Sequence, residues 1–160
     1  MTAAVIGIWG ADRVGVRISP VSPTNGMTDS DPAATFTQAA RDLDQLGVAY
    51  LHVIEPGVNG TVSDPASIES PPLGSGFFRS LFSGAIISAG GHTATTGTAR
   101  IQRNEADLIA YGQLFIANPD LPARFARRAP LAQPQRATFY GGGAEGYTDY
   151  PTLGTLQRAG

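Results

Sequence analysis

Cysteine is absent from the 160 residues, which removes disulfides and thiolate metal sites from consideration. No apolar run approaches the roughly 20 residues that a membrane helix requires, and the opening "MTAAVIGIWGADR" has neither a basic n-region nor a small-residue cleavage site. The expectation is a cytoplasmic protein with no membrane partner. Charge is sparse as well. Eleven basic and thirteen acidic side chains leave a net charge of −2, and they are interspersed apart from "RFARR" at Arg124 to Arg128, so no nucleic-acid surface is expected. The chain holds two histidines, and no cluster has metal-ligand spacing.

What is present suits one globular unit over residues 1–160: 42% of the residues are hydrophobic, enough for a sizeable core. Twenty glycines and twelve prolines fall between apolar segments as punctuation. Four short β-branched or aromatic runs read as strands: "RVGVRIS" (Arg13 to Ser19), "AYLHVIE" (Ala49 to Glu55), "GAIISAG" (Gly84 to Gly90) and "DLIAYG" (Asp107 to Gly112). They recur at roughly 25 to 35 residues, the period of a βα repeat, and near-continuous apolar strands suit a parallel sheet covered on both faces.

The intervening segments carry helix signals. Asp31 stands as N-cap, Pro32 occupies the first helical position, Phe36, Ala39, Ala40, Leu43 and Leu46 form a stripe, and Gly47 supplies the stop. A long loop after Glu55 leads to a short helical piece, "FFRSLF". "HTATTGTARIQRNEA" predicts a weaker helix, and Asn118 can cap one over "PDLPARFARR". The first dozen residues read as the tail of a helix before the first strand, with Trp9 packed on it.

In a parallel sheet the carboxyl ends of the strands share one side. They bring together Arg17 with Ser19 and Pro20; Glu55 with Pro56; Ala89, Gly90, Gly91 and His92; and Tyr111, Gly112 and Gln113. Two of these ends are glycine turns that lead toward helices, where backbone N–H groups can bind a phosphate without any lysine. Taken singly, each is also an ordinary βα turn. Arg17 either pairs with Glu55 or meets a ligand, and the roles can coexist. His52, inside a strand, reads as a hydrogen-bonded core histidine. There is no paired acid and base.

"VGVRISP", the Asn25/Met27 loop, "YLHVIEP", "ISAGG", "YGQLFIANPDLPARF" and "TFYGGGAEGYTDYP" resemble, in order, the carboxyl-terminal half of the old yellow enzyme family of FMN-dependent ene-reductases. The resemblance implies an α/β fold, namely strands five to eight of a (β/α)₈ TIM barrel, in which hydride passes from NAD(P)H through FMN to an activated alkene. It implies that Arg17 lies beside the flavin, where a cation favours the negative charge of the reduced ring. It places the FMN phosphate at Ala89, Gly90 and Gly91 and at Gly112 and Gln113. Phe139 and Tyr140 match an aromatic pair at the flavin edge and substrate cavity, with Tyr140 and Asn25 as substrate neighbours.

There are departures. Many relatives have glycine at the position of Ala110 and arginine at that of Gln113, so the phosphate would lose one charge-assisted contact. His92 stands where an aromatic residue is common. The family's substrate-anchoring pair and proton donor belong to its amino-terminal half, so no catalytic residue and no metal ligand is expected here.

Typical barrels run to about 250 residues, and four strands of one would leave two apolar edges unpaired, at "VGVRIS" and "LIAYG". The expected partner is a complementary amino-terminal half-barrel chain, or a second copy. The competing expectation is a flavin- or phosphate-binding half-barrel, or a structural subunit, without turnover of its own.

Overall fold

The computed structural model describes residues 1–22, 26–59, 62–63, 72–140 and 142–156. Its chain divides into two compact units, Met1–Ala110 and Tyr111–Gly160.

The first unit contains all four expected strands, each a residue or more shorter than its apolar run. They are β1 (Gly15–Ile18), β2 (Tyr50–Ile54), β5 (Ala85–Ala89) and β6 (Leu108–Ala110), paired in parallel in the order β1-β2-β5-β6. The register sets Arg17 beside His52, His52 beside Ile87, and Ala89 beside Ala110. The two outer strands, β1 and β6, are each paired on one side among the described residues. A small antiparallel hairpin, β3 (Val58–Asn59) and β4 (Val62–Ser63), interrupts the long loop after β2. Nothing in the sequence reading announced it, because two-residue strands carry no alternation to detect.

Helices cover one face of this sheet. The longest, α2 (Pro32–Gln45), begins and ends as its local chemistry dictates. Asp31 accepts a hydrogen bond from the Ala34 N–H at 3.0 Å, Pro32 sits in the first turn, and Gly47 leaves the helix at φ 67°. A left-handed residue there costs glycine no Cβ clash. Ala40 and Leu43 of α2 pack with Val14, Ile18, Leu51, Val53 and Ile86 of and around the sheet, together with Phe78 and Phe82. Phe78 belongs to α3 (Ser75–Phe78), so the "FFRSLF" segment is helical only at its start, while its aromatics do enter the core. In α4 (Ala94–Gln102) the threonines that weaken the interior supply the start: Thr93 and Thr96 exchange hydrogen bonds with each other's backbone N–H as a capping box.

The opposite face is not covered as a two-faced parallel sheet requires. Tyr50 is 39% and Leu108 55% exposed, and Arg17 is exposed too. The first helix, α1 (Thr2–Trp9), forms as expected, but Trp9 is 63% exposed and does not pack. A helix that is apolar all round has no outward polar face to leave in water.

The second unit consists of α5 (Gln113–Ala117), α6 (Leu121–Arg127), a 3₁₀ turn at Arg136–Thr138 and α7 (Leu153–Leu156). Asn118 does not cap the start of α6 but closes the end of α5. It is fully buried, donating to the carbonyls of Leu114 and Ala132 and accepting from the Ala132 N–H. The residue before α6 is Asp120, whose carboxylate instead binds Arg124 and the Leu153 N–H. Arg124, equally buried, completes the link with bonds to the carbonyls of Pro130 and Pro151. These two polar side chains reach residues up to 14 and 27 positions away in sequence and leave few of their own hydrogen-bonding groups unspent.

Candidate site at the strand ends

The first unit carries Arg17, Glu55 and the turn Ala89–Gly90–Gly91. Arg17 forms no ion pair among the described residues, so the pairing with Glu55 is not made. Glu55 pairs instead with Arg100 of α4, at 3.4 Å, both side chains being almost wholly buried. Its carboxylate also accepts from the Ser75 N–H and the Ser88 hydroxyl. Arg100 reaches Glu105 at 2.6 Å, and Arg103 holds both oxygens of that carboxylate. Hydrogen bonding from Arg103 first, aided by Arg100, keeps Glu105 below the usual carboxylate range against the effect of burial.

Burial, and then the charge of Arg17, lower the pKa of His52. Its Nε2 is buried without a hydrogen-bond partner among the described residues, where its place in a strand predicts a satisfied core histidine. It stands beside Arg17 in the β1–β2 register.

Gly90 and Gly91 adopt φ of 128° and 60°. A side chain at Gly90 would be strained at that φ, and its Cβ would lie 2.4 Å from Val58 Cγ2, so the turn is closed on the hairpin side. Neither glycine N–H finds a backbone acceptor among the described residues.

The second unit carries Gly112, Gln113, Phe139 and Tyr140. Gly112 precedes α5 with φ −83°, a conformation open to any residue. Among the described residues a Cβ there meets nothing within 4 Å, and its N–H too has no backbone acceptor. Gln113 is exposed at the first position of α5. Gly112 lines an open cavity of about 470 Å³ with Phe115, Ile116 and Tyr147. Phe139 and Tyr140 pack edge to face with centroids 6.4 Å apart, and Tyr140 is 81% exposed. Asn25 lies outside the described residues. A second open cavity, of about 510 Å³, follows β1 and is lined by Ser19, Pro20, Met27 and Phe36.

In the first unit the unspent N–H donors of Gly90 and Gly91 fit a phosphate ester, and so, taken by itself in the second, does the unspent N–H of Gly112 with open space in place of a Cβ. The donor set suits that group without a lysine, and the chain has none. Among the described residues no group of acidic, histidine or cysteine side chains could hold a metal ion, and no helix is long and apolar enough to cross a membrane. The sequence reading missed Ser88, Arg100 and Ser75. The one available signal was Arg100, three residues after Gly97 on the buried face of α4.

Such a molecule belongs to the α/β proteins with a parallel sheet and unspent backbone donors at its strand ends. Residues 2–132 match the NADH:flavin oxidoreductase / NADH oxidase family. A 12-oxophytodienoate reductase-like protein of Solanum lycopersicum is 41% identical over 151 residues, 94% of this chain and 39% of its own length. The 12-oxophytodienoate reductase 2 of Arabidopsis thaliana is 41% identical over 145 residues, with 90% and 38% covered. Among solved structures, morphinone reductase in complex with tetrahydroNAD superposes with a TM-score of 0.81 at 41% identity, over 95% of this chain and 39% of that one. The old yellow enzyme from Trypanosoma cruzi gives 0.83 at 34% identity, with 95% and 38% covered.

The chain is therefore a member of the NADH:flavin oxidoreductase family that includes the old yellow enzymes, whose cofactor is FMN. It spans less than half the length of these relatives.

Proposed function

We propose that residues 1–160 form one unit, strands five to eight of a (β/α)₈ barrel, and work as the carboxyl-terminal half of an FMN-dependent ene-reductase. The observation that carries this reading is a parallel sheet with one face under helices, the other face partly apolar and open, and two half-paired edge strands. A closed barrel turns such a face inward and pairs such edges. A complementary amino-terminal half-barrel supplies the other four strands; a second copy of this chain is the structural alternative.

In this reading the N–H groups of Gly90, Gly91 and Gly112, with Ala89 and Gln113 beside them, hold the FMN phosphate. Arg17 places a cation near the ring, and it pairs with no carboxylate among the described residues. Phe139 and Tyr140 form an apolar wall, and Tyr140 with Asn25 borders the substrate. FMN, when bound, carries hydride from NAD(P)H to the alkene of an α,β-unsaturated carbonyl compound. This chain binds, orients and excludes water; anchoring the carbonyl and donating the proton fall to the other half. The setting is cytoplasmic.

A second reading, a flavin- or phosphate-binding half-barrel without turnover, is favoured by the absence of an acid and base pair at the described strand ends. Producing the chain alone and with an amino-terminal half distinguishes the two. Yellow colour and cyclohexenone-dependent NADPH oxidation only in the mixture support the reductase. Colour without turnover in both supports the binding module, and no colour in either rejects both.

A further inference from the structure

Beneath the Gly90–Gly91 turn lies a polar chain to which the proposed flavin chemistry assigns no part. Glu55 is 1%, Ser88 0% and His92 4% exposed. Ser88 Oγ contacts the Glu55 carboxylate on one side and His92 Nε2, at 2.8 Å, on the other. Ser88 Oγ donates to Glu55 Oε1, so its single proton is spent there and its contact with His92 can only accept. The contact with His92 then needs a proton on Nε2. A neutral ring so protonated carries a bare acceptor at Nδ1, and Nδ1 is buried with no partner among the described residues.

The ring's surroundings agree with that neutral state. Burial lowers the His92 pKa most, and the charge of Arg100 lowers it further, against the pull of Glu55. These are the charged groups that face it, Glu55 from the end of β2 and Arg100 from α4. His92 directly follows Gly91 and precedes Thr93, the cap of α4. The other side of the turn is backed by Glu55, whose N–H donates to the Ala89 carbonyl at 2.8 Å, and by Val58.

We propose that Glu55, Ser88 and His92 are positioning residues for the Gly90–Gly91 turn, which rests on that turn being a phosphate site. Glu55 orders the Ser88 hydroxyl, Ser88 selects the Nε2–H form of His92, and His92 holds the turn in the shape that leaves its two N–H groups unspent. A second proton on the ring, at Nδ1, adds a cation beside Arg100 in a buried space and loosens the turn.

The test uses the full protein and two kinds of readout. ¹⁵N spectra of the unsubstituted protein report which His92 nitrogen bears the proton, and titration with FMN across pH reports affinity. The expected spectrum has Nε2 protonated and Nδ1 bare, with affinity falling as pH drops below the ordinary histidine range. Ser88→Ala and His92→Leu each weaken FMN by about tenfold, the scale on which supporting hydrogen bonds register. His92→Gln, which keeps a donor at the Nε2 position, retains affinity and loses the pH step. An Nδ1–H ring overturns the inference, as does unchanged FMN affinity in both weakening variants. If the unsubstituted protein takes up no FMN even together with an amino-terminal half, the phosphate reading fails. The ring spectrum and the Gly90 and Gly91 amide shifts in Ser88→Ala then still decide the positioning chain: unmoved shifts reject it, displaced shifts support it.

Discussion

The two faces of the four-stranded sheet obey the same alternation and meet different fates. Toward the helices, Leu51, Val53 and Ile86 are completely buried. On the other side the neighbouring positions hold Arg17, Tyr50, His52 and Leu108, and three of these four are exposed. Parallel strands are ordinarily buried on both sides. The contrast separates residues that build this chain's core from residues that lie outside it.

Substitutions on opposite faces sharpen that contrast. On the helix side, Phe78→Ala removes a ring with no exposure and is expected to lower the unfolding free energy by about 3–5 kcal/mol in a urea titration. Glu55→Ala leaves Arg100 buried without its carboxylate from β2, an expected loss of about 3 kcal/mol or more; a loss below about 1 kcal/mol would show that Glu105 alone satisfies Arg100. On the open face, Leu108→Asp is expected to shift the chain's own stability by under about 0.5 kcal/mol. It should abolish assembly with an amino-terminal half, measured by co-elution and flavin colour. Equal assembly would break the link between the open face and a partner.

Arg17→Ala tests the same face by binding. A melting temperature close to the parent's with FMN affinity weakened by about tenfold, some 1.4 kcal/mol, is the expected result. A lowered melting point with unchanged affinity would return Arg17 to a structural role.

The smallest effect is in pH. The folded-state pKa values of His52 and His92 are lowered, chiefly by burial. Between the lowered value and the ordinary one of about 6.5, the unfolded chain binds more protons than the folded one. Stability is therefore complete above the ordinary value and declines as pH falls through that window. Urea midpoints compared across it should fall with pH, and less in His92→Gln.

Much of the frame was legible because its causes are local. Asp31, Pro32 and Gly47 bound α2 through contacts within four residues, and the β-branched runs announced the four strands. The glycine turns at strand ends could be read for the same reason, since a missing Cβ acts where it is missing. Partners across the fold could not be read. Arg17 and Arg100 were both available to Glu55, and only the packing of α4 against the ends of β2 and β5 selects Arg100. Asn118 had the composition of a helix cap, and it became a buried staple because Leu114 and Ala132 present backbone groups on either side of it.

The sequence by itself thus determined the βα repeat, the family and the places where backbone donors are left over, because these depend on neighbours along the chain. Tertiary structure alone decided which buried charge meets which, the partner of the His92 ring, and which face of the sheet stays open. Such outcomes turn on groups tens of residues apart brought within 4 Å, where desolvation makes every pairing exclusive.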